Sequence, residues 1–411
     1  MIEKNRVMLV IDPISSARRY PTEIILAGYS PVALLSRTLF PGRLNRLHSI
    51  DAYDKVVVAS TFTEALEALK DLEIYAVIPG SDSAIEMSDR LSEYYRLPGN
   101  TADTSSFRVD KASMRNQLVT CGLSTISAYP ISLDGLAGGV QIPIPFPLVV
   151  KPSHGTGSKN VAVCHSIGEL YGALARIEST DSSFLDRERL SHVEEFIDGA
   201  EYFIVTANAG ASIDKQMLYI GVYEKIKSCT GTYIYRTIKS VSTSSDIATR
   251  AFAHASEVNS AIGMDVGIND IEFKVGDNGL LIIEQNGRLP GANVPSLIEL
   301  CTGFNCYRLN LDIYLGSRMV LDHPLLYMKH FSICCMISDG RGILASVKGL
   351  SFVKRLQSYH SHNFLVKPGD QVDLTEDFLS AWGFVYLIHP DTDVLAHESE
   401  LVHKHLVLCL R

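Results

Sequence analysis

Apolar runs and stretches with helical periodicity alternate through the first hundred residues. Runs such as RVMLVI, PVALLS and KVVVAS read as buried strands, and TEALEALKDL, between KVVVAS and YAVIPG, reads as a helix. Strands that alternate with helices form βαβ units around a parallel sheet. The segment after the first strand is DPISSARRY and not a GxGxxG turn, so a dinucleotide-binding dehydrogenase is disfavoured. The pattern predicts an N-terminal α/β domain.

Changes in composition divide the rest of the chain. RLPGNTADTSS, residues 96–106, is a polar break, and a helix is predicted to begin near Asp110. From residue 147 onward, short strands and hairpin loops dominate. We expect four units, spanning residues 1–100, 101–190, 191–318 and 319–411, of which the last is β-rich.

Composition and charge narrow the class of protein. The 411 residues are 46% apolar and 20% charged, which allows a large buried core. The net charge of -9 offers no electrostatic footprint for nucleic acid. The apolar run VMLVI is halted by Asp12, and no run approaches the roughly 20 residues that span a bilayer, so we expect no membrane partner and a cytoplasmic location. Eight cysteines without a CxxC pair are expected to be buried thiols.

A glycine-rich hairpin is the first candidate site. FPLVVKPSHGTGSKNVAVC, residues 146–164, reads as two strands joined by a Gly-rich loop. Such a loop brings consecutive N–H groups close to an anion such as a polyphosphate, and Lys151 adds a point charge. The segment lacks the GxxxxGK[ST] pattern of a P-loop. A plain flexible hairpin remains an equal alternative for this segment alone.

A second segment places carboxylates around an apolar pair. HVEEFIDGAEYFIVTA, residues 192–207, reads as a strand, a turn at DG and a second strand, with Glu194, Glu195 and Glu201 around Phe196 and Ile197. Taken alone, it is typical of a solvated hairpin. Beside a phosphate-binding loop, its strand edge is suited to an adenine amino group and its carboxylates to ribose hydroxyls.

The third segment is the hairpin NDIEFKVGDNGLLIIEQN, residues 269–286. A three-residue loop at 277–279, with glycine in the left-handed position, places Glu272 opposite Glu284. Two like charges at that separation repel, so a cation is expected between them. Side chains alternate along a strand, which puts Asn286 on the same face. The resulting all-oxygen set suits Mg²⁺ or Mn²⁺.

The alternative for this hairpin is a pair of solvated carboxylates, with Arg288 neutralising one of them. The flanking apolar runs favour the metal site, because unpaired buried carboxylates are costly.

These three segments, in this order, resemble the ATP-grasp superfamily. IEQNGR, VVKP…GTGS and VEEFIDGAEY are most similar to its carboxylate-amine ligases of the L-amino-acid ligase, or dipeptide synthase, type. The resemblance implies a mixed α/β ATP-grasp fold over nearly the whole chain. It implies a biotin-carboxylase-like N-terminal domain with a parallel sheet, an ATP-grasp module in two parts over residues 101–318, and a β-rich C-terminal domain. Relatives are often dimers, so a homodimer is compatible with it.

The resemblance also implies ligands and roles for individual residues. ATP and Mg²⁺ are the implied cofactors. Lys111 and Lys151 match lysines that contact the phosphates, Glu201 matches the ribose carboxylate, and Arg288 matches an arginine that steadies the transferred phosphoryl group and the acyl intermediate. The implied metal ligands are Glu272, Glu284 and Asn286. The implied nucleotide-binding residues are Lys111, Lys151, Ser153, His154, Gly155, Thr156, Gly157, Ser158, Glu194, Glu195, Phe196, Ile197 and Glu201.

Two departures from the resemblance concern the substrate. Many relatives have a histidine just before the first metal glutamate, where this chain has Asn269 and Asp270. KSCTGTYIYRTIKS lacks an acidic residue that several dipeptide ligases carry and offers Tyr235 and Arg236 instead, which suggests a different amine or an acidic substrate. The candidate substrate contacts are Glu86, Tyr235, Arg236, Asp270 and Gly291.

The implied reaction joins two small molecules. ATP converts a carboxylate to an acyl phosphate, and an amine, expected to be an amino acid, attacks it to give an amide, ADP and phosphate. Two alternatives remain open: a biotin-carboxylase-like or purine-biosynthetic ligase, and an ATP-binding scaffold without turnover.

Overall fold

The N-terminal domain is built on a parallel sheet. The computed structural model describes residues 6–37, 50–153, 160–179, 191–210, 216–227, 234–276, 279–317 and 325–411. The first four strands lie in the order β3-β2-β1-β4 and all pair in parallel, which confirms the βαβ prediction. The elements are β1 (Arg6–Ile11), α1 (Tyr20–Leu26), β2 (Ser30–Leu35), β3 (Lys55–Val58), α2 (Phe62–Leu69), β4 (Glu73–Pro79) and α3 (Ile85–Tyr95). Within the described ranges, the structure contains no helix that is both long and apolar enough to cross a membrane.

A small antiparallel sheet follows, in the order β5-β8-β6-β7. The helix predicted near Asp110 begins at Lys111, because the Asp110 carboxylate accepts a hydrogen bond from the N–H of Ser113 at 2.7 Å. Loop residues 154–159 lie outside the described part of the chain. The elements are α4 (Lys111–Thr120), β5 (Ala128–Ile131), α5 (Leu133–Ala137), β6 (Leu148–Pro152), β7 (Ala162–Cys164), α6 (Ile167–Ser179) and β8 (Ser191–Glu195).

An eight-stranded sheet runs in the order β13-β12-β9-β10-β11-β14-β18-β16. Since β11 pairs with β14, one sheet continues across the predicted boundary at residue 318. The segment of the chain before residue 318 contains β9 (Glu201–Ala209), β10 (Gln216–Lys227), β11 (Tyr235–Ser240), α7 (Asp246–Ala261), β12 (Gly267–Gly276), β13 (Gly279–Asn286), α8 (Val294–Thr302) and α9 (Cys306–Tyr314). The C-terminal part of the chain contains β14 (His330–Met336), β15 (Gly342–Lys348), α10 (Leu350–Val353), β16 (Tyr359–Phe364), β17 (Gln371–Val372), β18 (Gly383–His389), α11 (Thr392–His405) and β19 (Val407–Leu410). Of these strands, β15, β17 and β19 form a separate three-stranded sheet in the order β17-β15-β19.

The hairpin of β12 and β13 has the predicted register at the two glutamates, but a β-bulge produces it and not the predicted three-residue loop. Glu272 lies opposite Glu284, as predicted, but Gly276 pairs with Gly279, so the loop is one residue shorter than expected. The register then shifts by one between the Glu272 and Phe273 pairings, where Ile283 is the extra residue. Gly279 has φ of +119°, a conformation that favours glycine. A β-bulge, and not a longer loop, therefore opposes the two glutamates.

The two strands predicted over residues 192–207 are present, but they do not form a hairpin. β8 belongs to the four-stranded sheet and β9 to the eight-stranded sheet, so the two strands do not pair with each other. The DG segment between them connects two sheets instead of closing a tight turn. This places Glu194 and Glu201 in separate environments.

Candidate active site

One face of the large sheet collects the charged residues. Directly paired residues present their side chains on the same face, and Glu272 pairs with Glu284 on β13 and with Phe203 on β9. One row away, Glu201 pairs with Lys225 and with Lys274. The other face packs on an apolar core that includes Ile271, Phe273, Ile282 and residues of α4 and α7. The sheet thus separates a hydrophobic core from a polar site.

Lys225 neutralises Glu272 at the centre of this face. Its Nζ lies 2.5 Å from Glu272 Oε1 and 3.8 Å from Glu201 Oε1. Burial raises the pKa of Glu272 to about 7; Lys225 opposes that shift, and Glu284 and Glu201 add to it. Burial works against the charged form of Lys225, but Glu272 and its other neighbours outweigh it and raise its pKa. A further positive charge beside Glu272 would therefore stabilise its ionised form.

Lys111 neutralises the opposing glutamate. Its Nζ lies 2.7 Å from Glu284 Oε1. Burial opposes the charged form of Glu284, but Lys111, with Lys151 and Lys225, lowers its pKa overall. Each of the two opposed glutamates is therefore paired with its own lysine ammonium group, and the metal ion between them stays a prediction.

The predicted metal ligands suit a hard cation only together with other oxygens. No group of three or more His, Cys, Asp or Glu side chains positioned for a metal occurs among the described residues. Glu272, Glu284 and the amide of Asn286 offer oxygen atoms alone, and Mg²⁺ is commonly bound by one or two carboxylates completed by phosphate oxygens and water. The amide nitrogen of Asn286 donates to Asp270 Oδ1 at 2.8 Å, which turns its carbonyl oxygen to other partners. The donor set fits Mg²⁺ bound with a nucleotide.

Arg288 is fixed from two sides. Its Nη1 lies 2.8 Å from Asp270 Oδ2, and its Nε lies 2.9 Å from Asp82 Oδ1 of the N-terminal domain. Burial lowers the pKa of Arg288, but the two carboxylates outweigh it and raise the pKa. The guanidinium therefore stays charged and oriented at the junction of two domains.

Glu194 is surrounded by basic groups. Its carboxylate contacts the Arg115 guanidinium, Lys151 Nζ at 2.8 Å and His192 Nε2 at 2.8 Å. Burial opposes ionisation of Glu194, yet Lys151 and Arg115 hold its pKa well below the usual range. Burial lowers the pKa of Lys151 to about 8; Glu194 opposes that shift, and Arg115 and Lys111 add to it. In this arrangement Glu194 positions Lys151, and its assignment to the nucleotide-binding residues stays a prediction.

Glu201 lies in a second cluster of cations. Lys227 Nζ is 2.6 Å from its Oε2, and the Tyr235 hydroxyl donates to its Oε1 at 3.0 Å. Burial opposes ionisation of Glu201, but Lys227 and Lys225 lower its pKa to about 2. Glu201 is ionised at neutral pH and holds Tyr235 in place.

A cavity of about 140 Å³ opens beside these groups. It is similar in size to a cavity of roughly 150 Å³ that accommodates benzene, so it suits a ligand of amino-acid size. Ala292 and Asn293, just before α8, have φ of 55° and 63°, values that non-glycine residues rarely adopt. The lining residues are Phe203, Lys225, Tyr235, Ile238, Asp270, Glu272, Glu284, Asn286, Arg288, Pro290, Gly291, Ala292, Val294 and Phe378.

Some predicted residues do not join this cavity. Arg236 is not among its lining residues and interacts electrostatically with His403 and Cys334 of the C-terminal part. Its role as a substrate contact stays a prediction. Glu86 is exposed on the first turn of α3 and does not line the cavity; Asp82 contacts Arg288 instead.

The rest of the predicted nucleotide site is only partly described. Ser153 is buried, with Oγ 3.4 Å from His192 Nδ1, while His154, Gly155, Thr156, Gly157 and Ser158 lie outside the described residues. Glu195 is exposed, and the ring of Phe196 lies 5.6 Å from the Lys274 ammonium group. The backbone oxygen of Ile197 accepts a hydrogen bond from Lys274 Nζ at 2.6 Å.

Four site residues escaped prediction: Lys225, Asp82, Arg115 and His192. Asp82 and Arg288 are 206 positions apart, and Arg115 and Glu194 are 79 apart, so no local pattern connects them. For Lys225 a signal existed. In QMLYIGVYEKIK it stands two residues from Lys227 on one strand, which places both on the same face.

Comparison with known proteins agrees with this geometry. Residues 144–296 match the ATP-grasp domain family, a range that contains Lys151, Glu194, Glu272, Glu284 and Asn286. This range of the chain is therefore similar to an ATP-grasp domain.

Several similar proteins are named as ligases or synthases. Dapdiamide A synthase from Enterobacter agglomerans is 22% identical over 96% of this chain and 94% of its own length. The L-arginine-specific L-amino acid ligase from Bacillus subtilis is 21% identical over 79% of this chain and 76% of its own length. The crystal structure of an L-amino acid ligase from Bacillus licheniformis superimposes with a TM-score of 0.82 at 17% identity, covering 100% of both chains. The predicted ATP-grasp fold is confirmed.

Proposed function

We propose that the protein is an ATP-dependent, ADP-forming ligase that joins the carboxylate of an amino acid or small organic acid to the amine of an amino acid. One observation carries the proposal. The small cavity contains the opposed glutamates, Arg288 and Lys225 together, so a carboxylate bound there lies beside the groups suited to phosphoryl transfer.

The nucleotide is assigned to the basic side of the site. Lys111 and Lys151 would contact the phosphates of ATP. Mg²⁺ held by Glu272, Glu284 and Asn286 would neutralise phosphate charge and orient the terminal phosphate. Lys111 already pairs with Glu284 and Lys151 with Glu194, and the phosphates of bound ATP would be a second anionic partner for each lysine.

The first step converts a poor electrophile into a reactive one. A carboxylate oxygen of the substrate attacks the γ-phosphorus, the bond to the β,γ-bridging oxygen breaks, and ADP leaves. Arg288 is charged and oriented by Asp82 and Asp270, so it can stabilise negative charge on the transferring group without reorganising. The product of this step is an acyl phosphate.

The second step forms the amide. The neutral amine attacks the carbonyl carbon, the tetrahedral intermediate expels phosphate, and the nitrogen loses a proton. Lys225 lies on the cavity wall with a raised pKa, so it stays protonated and can donate a hydrogen bond to the developing oxyanion. Its carboxylate partner, Glu272, would then be free to face the metal.

The test compares variants of cavity residues with a variant on the opposite face of the large sheet. Glu284→Ala and Arg288→Ala are expected to lower kcat for ADP formation with amino-acid mixtures by roughly 10²- to 10³-fold. Glu224→Ala is the matched control. Glu224 lies on β10, its Oε2 is 2.9 Å from Lys239 Nζ, and it does not line the cavity. Full activity in both site variants would contradict the assignment.

The assay also separates the competing functions. Phosphate release with bicarbonate or purine precursors but no amino-acid pair would favour the carboxylase-like or purine-biosynthetic ligase. Binding of MgATP without phosphate release from any substrate set would favour a nucleotide-binding scaffold.

A further inference from the structure

A buried cluster around Lys151 contains two polar groups that the proposed reaction does not use. Lys151 on β6 lies directly opposite His192 on β8, and Glu194, two residues further along β8, lies on the same face. Arg115 reaches the cluster from α4, one helical turn after Lys111. The side chains of Arg115, Lys151, His192 and Glu194 are all buried. Four polar side chains therefore meet away from solvent.

The two carboxylate oxygens of Glu194 have different partners. The Arg115 guanidinium contacts Oε1, and His192 Nε2 lies 2.8 Å from the same oxygen. Lys151 Nζ lies 2.8 Å from the other oxygen, Oε2. Arg115 and His192 thus hold one side of the carboxylate, and Lys151 holds the other.

His192 is a neutral hydrogen-bond donor in this cluster. Burial lowers its pKa to about 4; Glu194 opposes that shift, and Lys151 and Arg115 add to it. An ionised carboxylate only accepts hydrogen bonds, so Nε2 carries the ring proton and Nδ1 faces Ser153 Oγ at 3.4 Å as an acceptor. Two cations therefore surround one anion, and one positive charge remains uncompensated.

This arrangement matters when Lys151 turns toward an anionic ligand. Removing the partner of a buried carboxylate is strongly unfavourable, because the charge is left uncompensated. Glu194 would keep Arg115 and His192 on Oε1 after Lys151 had moved to a phosphate oxygen. If Lys151 were its only partner, the same movement would leave a bare carboxylate close to the phosphates.

From this geometry we infer that Arg115 and His192 are positioning residues that hold Glu194, so that Lys151 can bind a phosphate group of the nucleotide. The inference rests on the proposed function, which assigns Lys151 to the phosphates of ATP. Neither Arg115 nor His192 is assigned a contact with the nucleotide. Both act through Glu194.

Binding of MgATP without a substrate acid tests the inference in the absence of turnover. Arg115→Met removes the charge but keeps an unbranched side chain, so Lys151 becomes the one cation that contacts Glu194 among the described residues. The dissociation constant for MgATP, measured by calorimetry at pH 7, is expected to rise by roughly tenfold or more. Asn116→Ala is the matched control, because Asn116 is exposed on the same helix and should bind MgATP as the unmodified protein does.

The pH dependence of binding separates this role from a general loss of structure. The charged and titratable groups that act on Lys151 from the neighbouring elements are Glu194, His192, Arg115, Lys111 and Glu284. Burial lowers the pKa of Lys151 to about 8; Glu194 opposes that shift, and Arg115 adds to it. Without Arg115 the pKa of Lys151 rises. The loss of MgATP affinity between pH 7 and 9 in the unmodified protein is therefore expected to move to higher pH in Arg115→Met.

Two conservative variants keep the test decisive if Arg115→Met does not fold, which thermal unfolding would reveal. Arg115→Lys retains a cation and is expected to keep most of the affinity together with the pH dependence of the unmodified protein. His192→Gln retains a hydrogen-bond donor and removes no charge, so it should weaken MgATP binding less than Arg115→Met and leave the pH dependence in place.

The outcomes separate failure of this inference from failure of the proposed function. Unchanged MgATP affinity in Arg115→Met, or weaker binding with an unchanged pH dependence, would overturn the role of Arg115. Binding as weak in Arg115→Lys as in Arg115→Met would also overturn it, and a shifted pH dependence in His192→Gln would overturn the role of a neutral His192. MgATP binding as expected, but no ADP formation with any amino-acid pair, would contradict the proposed function and leave this inference intact.

Discussion

At the scale of single residues, buried lysines and carboxylates tune each other. Lys151 and Glu194 form an ion pair at 2.8 Å, yet burial and neighbouring cations lower the pKa of Lys151 to about 8 while the pKa of Glu194 is held low. The carboxylate is thus ionised throughout the neutral range, whereas the ammonium group begins to lose its proton just above it. A phosphate ligand would find Lys151 charged at pH 7 and largely neutral at pH 9.

This predicts a pH-dependent affinity for ATP. If ATP binds the protonated form of Lys151, KM for ATP rises with pH through about 8 and is roughly tenfold higher at pH 9 than at pH 7. Lys151→Arg should flatten the profile, since guanidinium remains charged. Steady-state ADP formation from pH 6.5 to 9.5 measures this, and identical profiles for both proteins would contradict it.

The lowered pKa of Lys151 also affects the stability of the folded protein. The pKa of Lys151 in the folded protein lies below its unfolded value of 10.5, so the unfolded chain binds more protons between pH 8 and 10.5. The contribution of Lys151 to the free energy of unfolding therefore increases with pH across that window.

Much of the candidate site at this scale was predictable from sequence. That Glu284 and Asn286 share one face follows from strand alternation, which is local information, whereas the position of Glu284 opposite Glu272 depends on a bulge. Lys225 was missed although it is buried, because alternating charged residues such as Glu224, Lys225 and Lys227 are typical of a solvated strand. Asp82 was missed because its partner lies in another domain. Long-range ion pairs leave no periodic signal.

At the scale of elements, one β-bulge in β13 determines which face of the sheet carries the Glu284 side chain. Leu280 and Ile282 pack into the core on one side of the sheet, and unbroken alternation would point Glu284 into that same core. The extra residue, Ile283, reverses the alternation, so that Glu284 and Asn286 face the cavity. Sequence reasoning reached the correct register through a loop of the wrong length, because a bulge and a longer loop shift pairing equally.

Deleting single residues tests this role of the bulge. Removal of Ile283 restores regular alternation yet keeps Glu284 opposite Glu272, so MgATP-dependent activity is expected to persist at a reduced level. Removal of Gln285 moves Asn286 to the core face, and activity is expected to fall by roughly 10²-fold or more. ADP formation and thermal unfolding of the two deletion variants provide the comparison, and equal activity in both would contradict it.

At the scale of the whole molecule, three ion pairs among the described residues join the N-terminal domain to residues 101–318, and two of them, Asp82–Arg288 and Asp89–Arg108, differ in their relation to the cavity. Asp82 holds Arg288 at the cavity. Asp89 holds Arg108, which is fully buried and also donates to the carbonyl oxygens of Ile262 and Gly263 at the end of α7. The order of strands and helices in the N-terminal domain followed from periodicity, whereas these contacts depend on how domains pack. One pair faces the site, and the other lies within the junction.

The two pairs are expected to respond differently to loss of their carboxylates. Asp89→Ala leaves a buried guanidinium without its ionic partner, which costs about 3–5 kcal/mol of folding free energy. Asp82→Ala leaves Arg288 held by Asp270 in a partly exposed position, so stability should change by less than about 1 kcal/mol. Its kcat should nevertheless fall by roughly tenfold, because Arg288 loses orientation and not charge. Urea unfolding and kcat measured on both variants separate the roles. If Asp82→Ala lost stability and kept kcat, Asp82 would be a structural contact and Arg288 would not depend on the N-terminal domain for its orientation.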